Sequence, residues 1–176
     1  MLYFHHRDPY FDDDSHPPVL DEMQFTDLMH AIGEPRDLPY QDYAPLVKYV
    51  RYIGTKFSIM KFIVPSRTSL NEWPCYIQWT QWGEQVRDSS ITAPEAARLL
   101  LWSGDLRIHC GCPAYLFWGM QYIDTQLDIA IRPEIRYPGI RNPDLKGIAC
   151  KHLIRTLKVL PFHLGDMAKA IKQQRS

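Results

Sequence analysis

Two short pairs of metal-binding residue types constrain this chain more than any other feature of its sequence. The first pair is Cys110-Gly111-Cys112, and the second is Cys150-Lys151-His152. Thiolate and imidazole groups are ligands that Zn²⁺ prefers, and four of them at tetrahedral corners complete a structural site. The fold is therefore expected to bring together two segments that are separated by 37 residues.

Each pair has a local setting that suits a metal ligand. Gly111 allows a sharp backbone bend, so that Cys110 and Cys112 can both face one ion. Cys150 and His152 open an apolar-periodic segment, and a helix N-terminus stabilises a thiolate through its exposed N–H groups and its dipole. We therefore predict one structural Zn²⁺ per chain, with no open coordination position. Its predicted ligands are Cys110, Cys112, Cys150 and His152.

Other interpretations of these residues remain open. A buried cysteine often acts as a small hydrophobic residue, and this interpretation is preferred for the isolated Cys75. A redox centre is the alternative for paired cysteines, although the C-x-C and C-x-H spacing differs from the C-x-x-C of oxidoreductases. His109 would be a substitute ligand, but its side chain is expected on the opposite face of its strand. A catalytic zinc needs an open position, and the sequence has no nucleophile–base motif, so we predict no enzymatic activity.

The residues around both pairs resemble the SWIM-type zinc finger. Residues 106–113 (LRIHCGCP) are similar to the strand and CxCP element of that family. Residues 141–153 (RNPDLKGIACKHL) are similar to the run that leads into a helix in SWIM-like proteins of tailed bacteriophages. The resemblance covers roughly residues 58–163, with a long insert between the pairs. It implies a zinc-binding virion component of the head or neck region, assembled in a host cytoplasm.

The remaining pattern predicts an α+β fold, with a small antiparallel sheet and helices packed on one side. Alternating or continuous apolar residues predict the strands, at 57–64, 74–82, 106–110 and near 125–131, with 46–53 either a strand or a helix. Apolar residues at helical spacing predict four helices, at 21–32, 92–102, 150–160 and 167–174. Asp21 is the predicted N-cap of the first and Asp166 that of the last. The second opens at the capping box Thr92-Ala93-Pro94-Glu95.

A net charge of zero conceals two oppositely charged segments. Residues 1–50 carry 3 basic and 10 acidic side chains, whereas residues 51–176 carry 17 basic and 10 acidic ones. We therefore divide the chain into an acidic, proline-rich arm with a short helix (1–45) and a zinc-binding domain (46–176). Lys151, Arg107 and Lys146 are expected to offset the charge of the thiolates. The sequence has no apolar run of membrane-spanning length and no signal-peptide pattern, so no membrane partner and a cytoplasmic site of synthesis are expected.

Two functions from different classes follow from these observations. The first is a structural or assembly protein that contacts other virion proteins or copies of itself, because opposite charges on one chain suit such contacts. The alternative is a nucleic-acid-binding module, since residues 132–176 carry 10 basic and 3 acidic side chains. Packaged DNA is its expected ligand, and no small-molecule substrate is expected. The phosphate-contacting side chains would come from the last two helices, at Lys151, Arg155, Lys158, Lys169 and Lys172.

Overall fold

Four antiparallel strands organise the computed structural model, which describes residues 23–33, 43–67 and 69–176. The strands are β1 (Arg51–Lys56), β2 (Ile59–Pro65), β3 (Glu72–Trp79) and β4 (Leu106–Cys110). They lie in the order β1-β2-β3-β4, so strands that are consecutive in the chain are neighbours in the sheet. Such a meander of antiparallel neighbours needs only short connections or helical excursions.

Seven helices accompany the sheet in the described residues. They are α1 (Phe25–Gly33), α2 (Trp82–Arg87), α3 (Ala93–Ser103), α4 (Pro113–Phe117), α5 (Met120–Gln126), α6 (Lys151–Val159) and α7 (Leu164–Arg175). Helix α3 begins at the predicted capping box, where Thr92 accepts from the Glu95 backbone and donates its own N–H to the Glu95 carboxylate at 2.7 Å. Among these helices, none has the length and apolar composition needed to cross a bilayer.

In the part of the chain that the structure describes, helices cover one face of the sheet. Side chains alternate between the two faces of a strand, and in β2 Met60, Phe62 and Val64 are fully buried while their neighbours are partly exposed. Helix α6 packs across β2, β3 and β4 on the buried side, and α7 packs against β1 and α3. The predicted α+β class, a small antiparallel sheet with helices on one side, is confirmed.

The ends of the helical layer are attached to it by specific contacts. Arg175, at the end of α7, donates to the backbone oxygens of Gln85, Asp88 and Ile91. At the other end of the described chain, the Phe25 ring of α1 meets Trp102 edge-on at 5.5 Å. Helix α1 thus packs on the domain, and the prediction of an arm over residues 1–22 and 34–42 lies outside the described residues.

Several predicted element boundaries are wrong, and one predicted element is of the wrong type. The strands expected near 125–131 are replaced by α5 and a single bridge from Ala130 to Ile108. Met120, Ile123 and Leu127 follow helical spacing and pack into the core, which outweighs the alternation later in that segment. Asp166 does not cap α7: the helix begins two residues earlier, and Asp166 instead accepts from His163 at 2.7 Å. The Asp21 cap predicted for α1 lies outside the described residues.

Candidate metal centre

The first ligand pair lies where the sheet ends and a helix begins. Cys110 is the last residue of β4, and Cys112 is the N-cap of α4, where its Sγ accepts from the Tyr115 N–H at 3.4 Å. Gly111 also lies close to β3, in addition to the bend predicted for it. Its N–H donates to the Pro74 oxygen at 2.9 Å, and a Cβ at this position would lie 3.0 Å from the Pro74 ring. The small residue lets the loop approach β3 closely.

The second pair lies at the predicted helix N-terminus. Cys150 is the N-cap of α6 in an extended conformation, and its carbonyl accepts the first helical hydrogen bond from Ile154 at 2.9 Å. His152 is the second helical residue. Because α6 packs on β3 and β4, its N-terminus is held near the end of β4.

The structure brings Cys110, Cys112, Cys150 and His152 together in one buried cluster. Their candidate ligand atoms all lie within 4.8 Å of one another. The Sγ atoms of Cys112 and Cys150 are 3.6 Å apart, and Cys150 Sγ is 3.9 Å from His152 Nδ1. A tetrahedral Zn²⁺ with Zn–S bonds of ~2.3 Å places its sulfur ligands about 3.8 Å apart. The cluster therefore has the size that a single four-coordinate ion requires.

The two nitrogens of the His152 ring have different surroundings, and Nδ1 is the one that faces Cys150 Sγ. Within the described part of the chain, His152 Nε2 is buried and has no hydrogen-bond partner. A metal bound through Nδ1 would leave Nε2 as the nitrogen that a further hydrogen-bond partner normally satisfies in a metal-bound imidazole. A cavity of about 210 Å³ borders Cys112, Cys150 and His152 and gives an ion a route to the cluster.

The electrostatics of the three cysteines are those of a site built for a cation. Burial raises the pKa of the Cys110 and Cys150 thiols well above their ordinary value. Hydrogen bonds from Cys110, and then from Cys150, lower the pKa of Cys112. Without a metal, Cys112 is therefore the thiol of the three that ionises most readily. A bound divalent cation would stabilise the thiolate form of all three cysteines.

The predicted neighbouring cations are placed differently. Lys151 lines the cavity beside the cluster. On the opposite face of the sheet, Arg107 Nη2 instead donates to both carboxylate oxygens of Asp128, at 2.9 and 3.0 Å. Lys146 pairs with Asp144 at 3.6 Å. Of the three predicted cations, Lys151 is therefore the one that borders the thiolates.

The remaining sulfur and imidazole candidates lie outside the cluster. Cys75 pairs with Cys110 across β3 and β4, and the two Sγ atoms are 3.6 Å apart. Cys75 is fully buried and is not part of the four-residue group, in keeping with its interpretation as a small hydrophobic residue. His109 lies on the far face of β4, stacked on Tyr76 at 6.0 Å, so it is not a substitute ligand.

The basic residues of the nucleic-acid alternative lie on α6 and α7. Lys151, Arg155 and Lys158 follow at intervals of four and three residues, which places them on one face of α6. On α7, Lys169 and Lys172 are exposed. Trp79 and Trp82 are buried in the core, so neither ring is available to stack on a nucleic-acid base.

Sequence reasoning missed two groups of polar residues. One is a buried pair in which the Tyr115 hydroxyl donates to Asp124 at 2.5 Å, which joins α4 to α5. The other is a row of side chains on the open face of the sheet, formed by Lys61, Tyr76 and His109. Each residue of the row occupies an outward position of its own strand, but only the register between strands shows that they are neighbours.

Comparison with known proteins identifies no relative of this chain. The chain matches no protein-family model, and no curated protein and no solved structure is significantly similar to it.

Proposed function

We propose that this chain is a non-enzymatic, zinc-stabilised structural protein that acts through protein–protein contacts. The observation that carries the proposal is the buried four-ligand cluster. Cys110, Cys112, Cys150 and His152 are each no more than 3% exposed. A site whose four ligands all come from the protein stabilises the fold and leaves no position for a substrate.

Zinc is the ion that best suits this donor set. Three thiolates and one imidazole are soft or borderline ligands, which disfavours Mg²⁺ and Ca²⁺. The ligand pairs come from the end of a strand and the start of a helix, an arrangement that agrees with the SWIM-type resemblance of residues 106–113 and 141–153. That resemblance also carries the proposal that the protein is a component of a tailed-phage head or neck.

Exposed apolar side chains support a role in protein contacts. Ile135 and Ile140 are 85% and 97% exposed, and Phe117 is 54% exposed. All three lie between the two ligand pairs, in the segment whose ends the proposed metal would hold. Apolar side chains on a surface with a defined conformation are typical of association sites.

Cross-linking of intact phage particles, followed by mass spectrometry, tests the assembly role. The expected result is that this chain is present in the particle and that Lys146 or Lys151 is linked to a neighbouring protein or to a second copy. Absence from the particle, together with a monomeric zinc-loaded chain at every concentration in sedimentation experiments, would contradict the role.

A second candidate function rests on the basic face of α6. Lys151, Arg155 and Lys158 share that face, and Lys169 and Lys172 add exposed charge on α7. If all five contact duplex DNA phosphates, log K should fall with log salt concentration at a slope of about −4.5. Titration of the zinc-loaded chain with duplex DNA measures this slope, and a slope near zero would exclude the function.

A further inference from the structure

The open face of the sheet carries a groove that neither proposed function uses. The groove has a volume of about 540 Å³ and extends from Ile53–Lys56 at β1, across the outward side chains of β2, β3 and β4, to Ile131 and Arg132. This volume lies within the range of about 300–1,000 Å³ that is usual for small-ligand sites.

The far wall of the groove is formed by a segment that runs alongside β4. Ile108 donates its N–H to the oxygen of Ile129 at 2.7 Å, and the Ile131 N–H donates to the oxygen of Ile108 at 3.1 Å. These bonds place Arg132 at one end of the groove, while Lys56 lies at the other end on β1. Three strand spacings of ~4.8 Å separate the outer strands, so the groove is about 15 Å long.

Its floor is a row of aligned side chains across the sheet. Gly54, Lys61, Tyr76 and His109 are successive cross-strand partners on β1 to β4. The Tyr76 and His109 rings are stacked, with centroids 6.0 Å apart and an interplanar angle of 28°. Lys61 Nζ lies 6.0 Å from the Tyr76 ring centroid. Gly54 has no side chain, so the floor is open next to the lysine.

The charge of the groove has one sign. Lys56, Lys61 and Arg132 line it, and within the described residues no Asp or Glu does. Most of the remaining lining is apolar or aromatic, with Ile53, Phe57, Ile59 and Ile131 among its members, and Thr55 is a polar exception. A ligand that matches this lining combines negative charge with flat, weakly polar surfaces.

The His109 ring at one end of the row is almost fully buried. His109 is 7% exposed, and in the described part of the chain its Nδ1 has no hydrogen-bond partner. Buried side-chain nitrogens are normally hydrogen-bonded. The ring borders the groove, whereas Nδ1 itself is shielded from solvent, so His109 supports the Tyr76 ring through their stacking contact.

We propose that this groove binds single-stranded nucleic acid, with a base against the partly exposed Tyr76 ring and phosphates against Lys56, Lys61 and Arg132. A groove about 15 Å long accommodates a short run of nucleotides. Flat aromatic platforms beside cations are the usual means of holding unpaired bases. A duplex is excluded because its bases present no free faces. A carboxylate-rich peptide would form ion pairs with the cations but would not stack on the aromatic ring.

Fluorescence anisotropy of the full zinc-loaded chain with a labelled oligothymidylate of about 12 nucleotides tests the proposal. Contacts from three cations to single-stranded phosphates predict a slope of log K against log salt of about −2. Tyr76→Ala should weaken binding roughly 5- to 150-fold through loss of stacking, whereas Tyr76→Phe should retain it. Lys61→Gln should weaken binding and make the slope shallower by about 0.7.

Matched controls keep the test independent of folding. Arg98→Gln removes the same charge from exposed α3 and should bind like the wild type. Thermal unfolding and zinc content are measured for every variant, and Lys61→Gln and Arg132→Gln carry the test if Tyr76→Ala does not fold.

Three outcomes would overturn the proposal. The first is absence of binding at low salt. The second is equal affinity for single strands and duplex, if that binding is lost when the charges on α6 and α7 are removed and is unchanged by Tyr76→Ala. The third is tight binding of polyglutamate with the same insensitivity, which would assign the groove to an acidic peptide.

Discussion

Replacing Cys150 and Cys75 by serine, one at a time, separates a metal ligand from a buried thiol. Both residues are essentially inaccessible, and each has a sulfur 3.6 Å from another cysteine sulfur. The two substitutions make the same chemical change. Only Cys150 belongs to the cluster that can hold an ion, so the two variants should differ in zinc content.

The expected magnitude follows from the distance between the thiols. Two thiolates 3.6 Å apart, as at Cys112 and Cys150, repel by about 5 kcal/mol at an effective dielectric constant of ~20. A divalent cation replaces this repulsion by attraction, and structural zinc sites are worth about 10–16 kcal/mol in small zinc-binding peptides. That is as large as the ~5–15 kcal/mol net stability of a typical domain.

We therefore expect wild type and Cys75→Ser to carry one zinc per chain and Cys150→Ser to carry little or none. Cys75→Ser should lose only about 1–3 kcal/mol, the cost of burying a hydroxyl group in place of sulfur. Elemental analysis gives the stoichiometry, and thermal unfolding with and without a chelator gives the coupling of metal to fold. In Cys150→Ser, the chelator should no longer lower the midpoint.

Two results would refute this reasoning. If Cys75→Ser loses zinc as completely as Cys150→Ser, the assignment of ligands is wrong. If wild-type protein purified with zinc in the medium contains no metal and is unaffected by the chelator, the cluster is a group of packed thiols.

Three further predictions concern the scaffold around the site. Burial raises the pKa of Asp124 well above its ordinary value, so folding favours the protonated carboxyl group. Below about pH 4 the group is protonated in both states and does not lower the free energy of unfolding. As the pH rises from there towards the folded pKa, the free energy of unfolding falls by up to ~1.4 kcal/mol per pH unit. Asp124→Asn should flatten that decline in urea unfolding between about pH 5 and pH 8, and an unchanged slope would contradict it. Gly119 has φ +72° and faces the Pro138 ring, so Gly119→Ala should cost about 2 kcal/mol or more in chemical unfolding, and a neutral result would argue against this loop packing. Thr92→Ala should lower the melting temperature by about 2–4 °C through loss of ~1 kcal/mol of capping, whereas Thr92→Ser should not.

Local signals made much of the fold predictable from the sequence. The capping box at Thr92 and Glu95 specifies a helix start through two hydrogen bonds between residues close in the chain. Strand β4 has the predicted bounds, because Gly104 and Asp105 precede it and the C-x-C turn follows it. The convergence of the two ligand pairs was also predicted, since their residue types favour one shared ion.

Features that depend on long-range packing were not predictable in this way. Residues 120–131 contain apolar residues at both helical and alternating spacing, and contact with the core selects the helix for the first half. The row of Lys61, Tyr76 and His109 depends on the register of three strands, which no single strand encodes. Gly111 carried a local interpretation, a bend, whereas its close approach to Pro74 across the sheet was not predicted.

The positions of the two ligand pairs also have a consequence for the unfolded chain. An ion held by Cys112 and Cys150 would close a loop of 37 residues, most of which lie outside helices and strands in 127–149. In the chain-entropy description, a permanent cross-link over such a loop restricts the unfolded state by about 4 kcal/mol. The metal would then stabilise this irregular segment as a disulfide bond stabilises a secreted domain, by restricting the unfolded chain. A chain cut by a protease within the loop would stay in one piece until a chelator released its two parts.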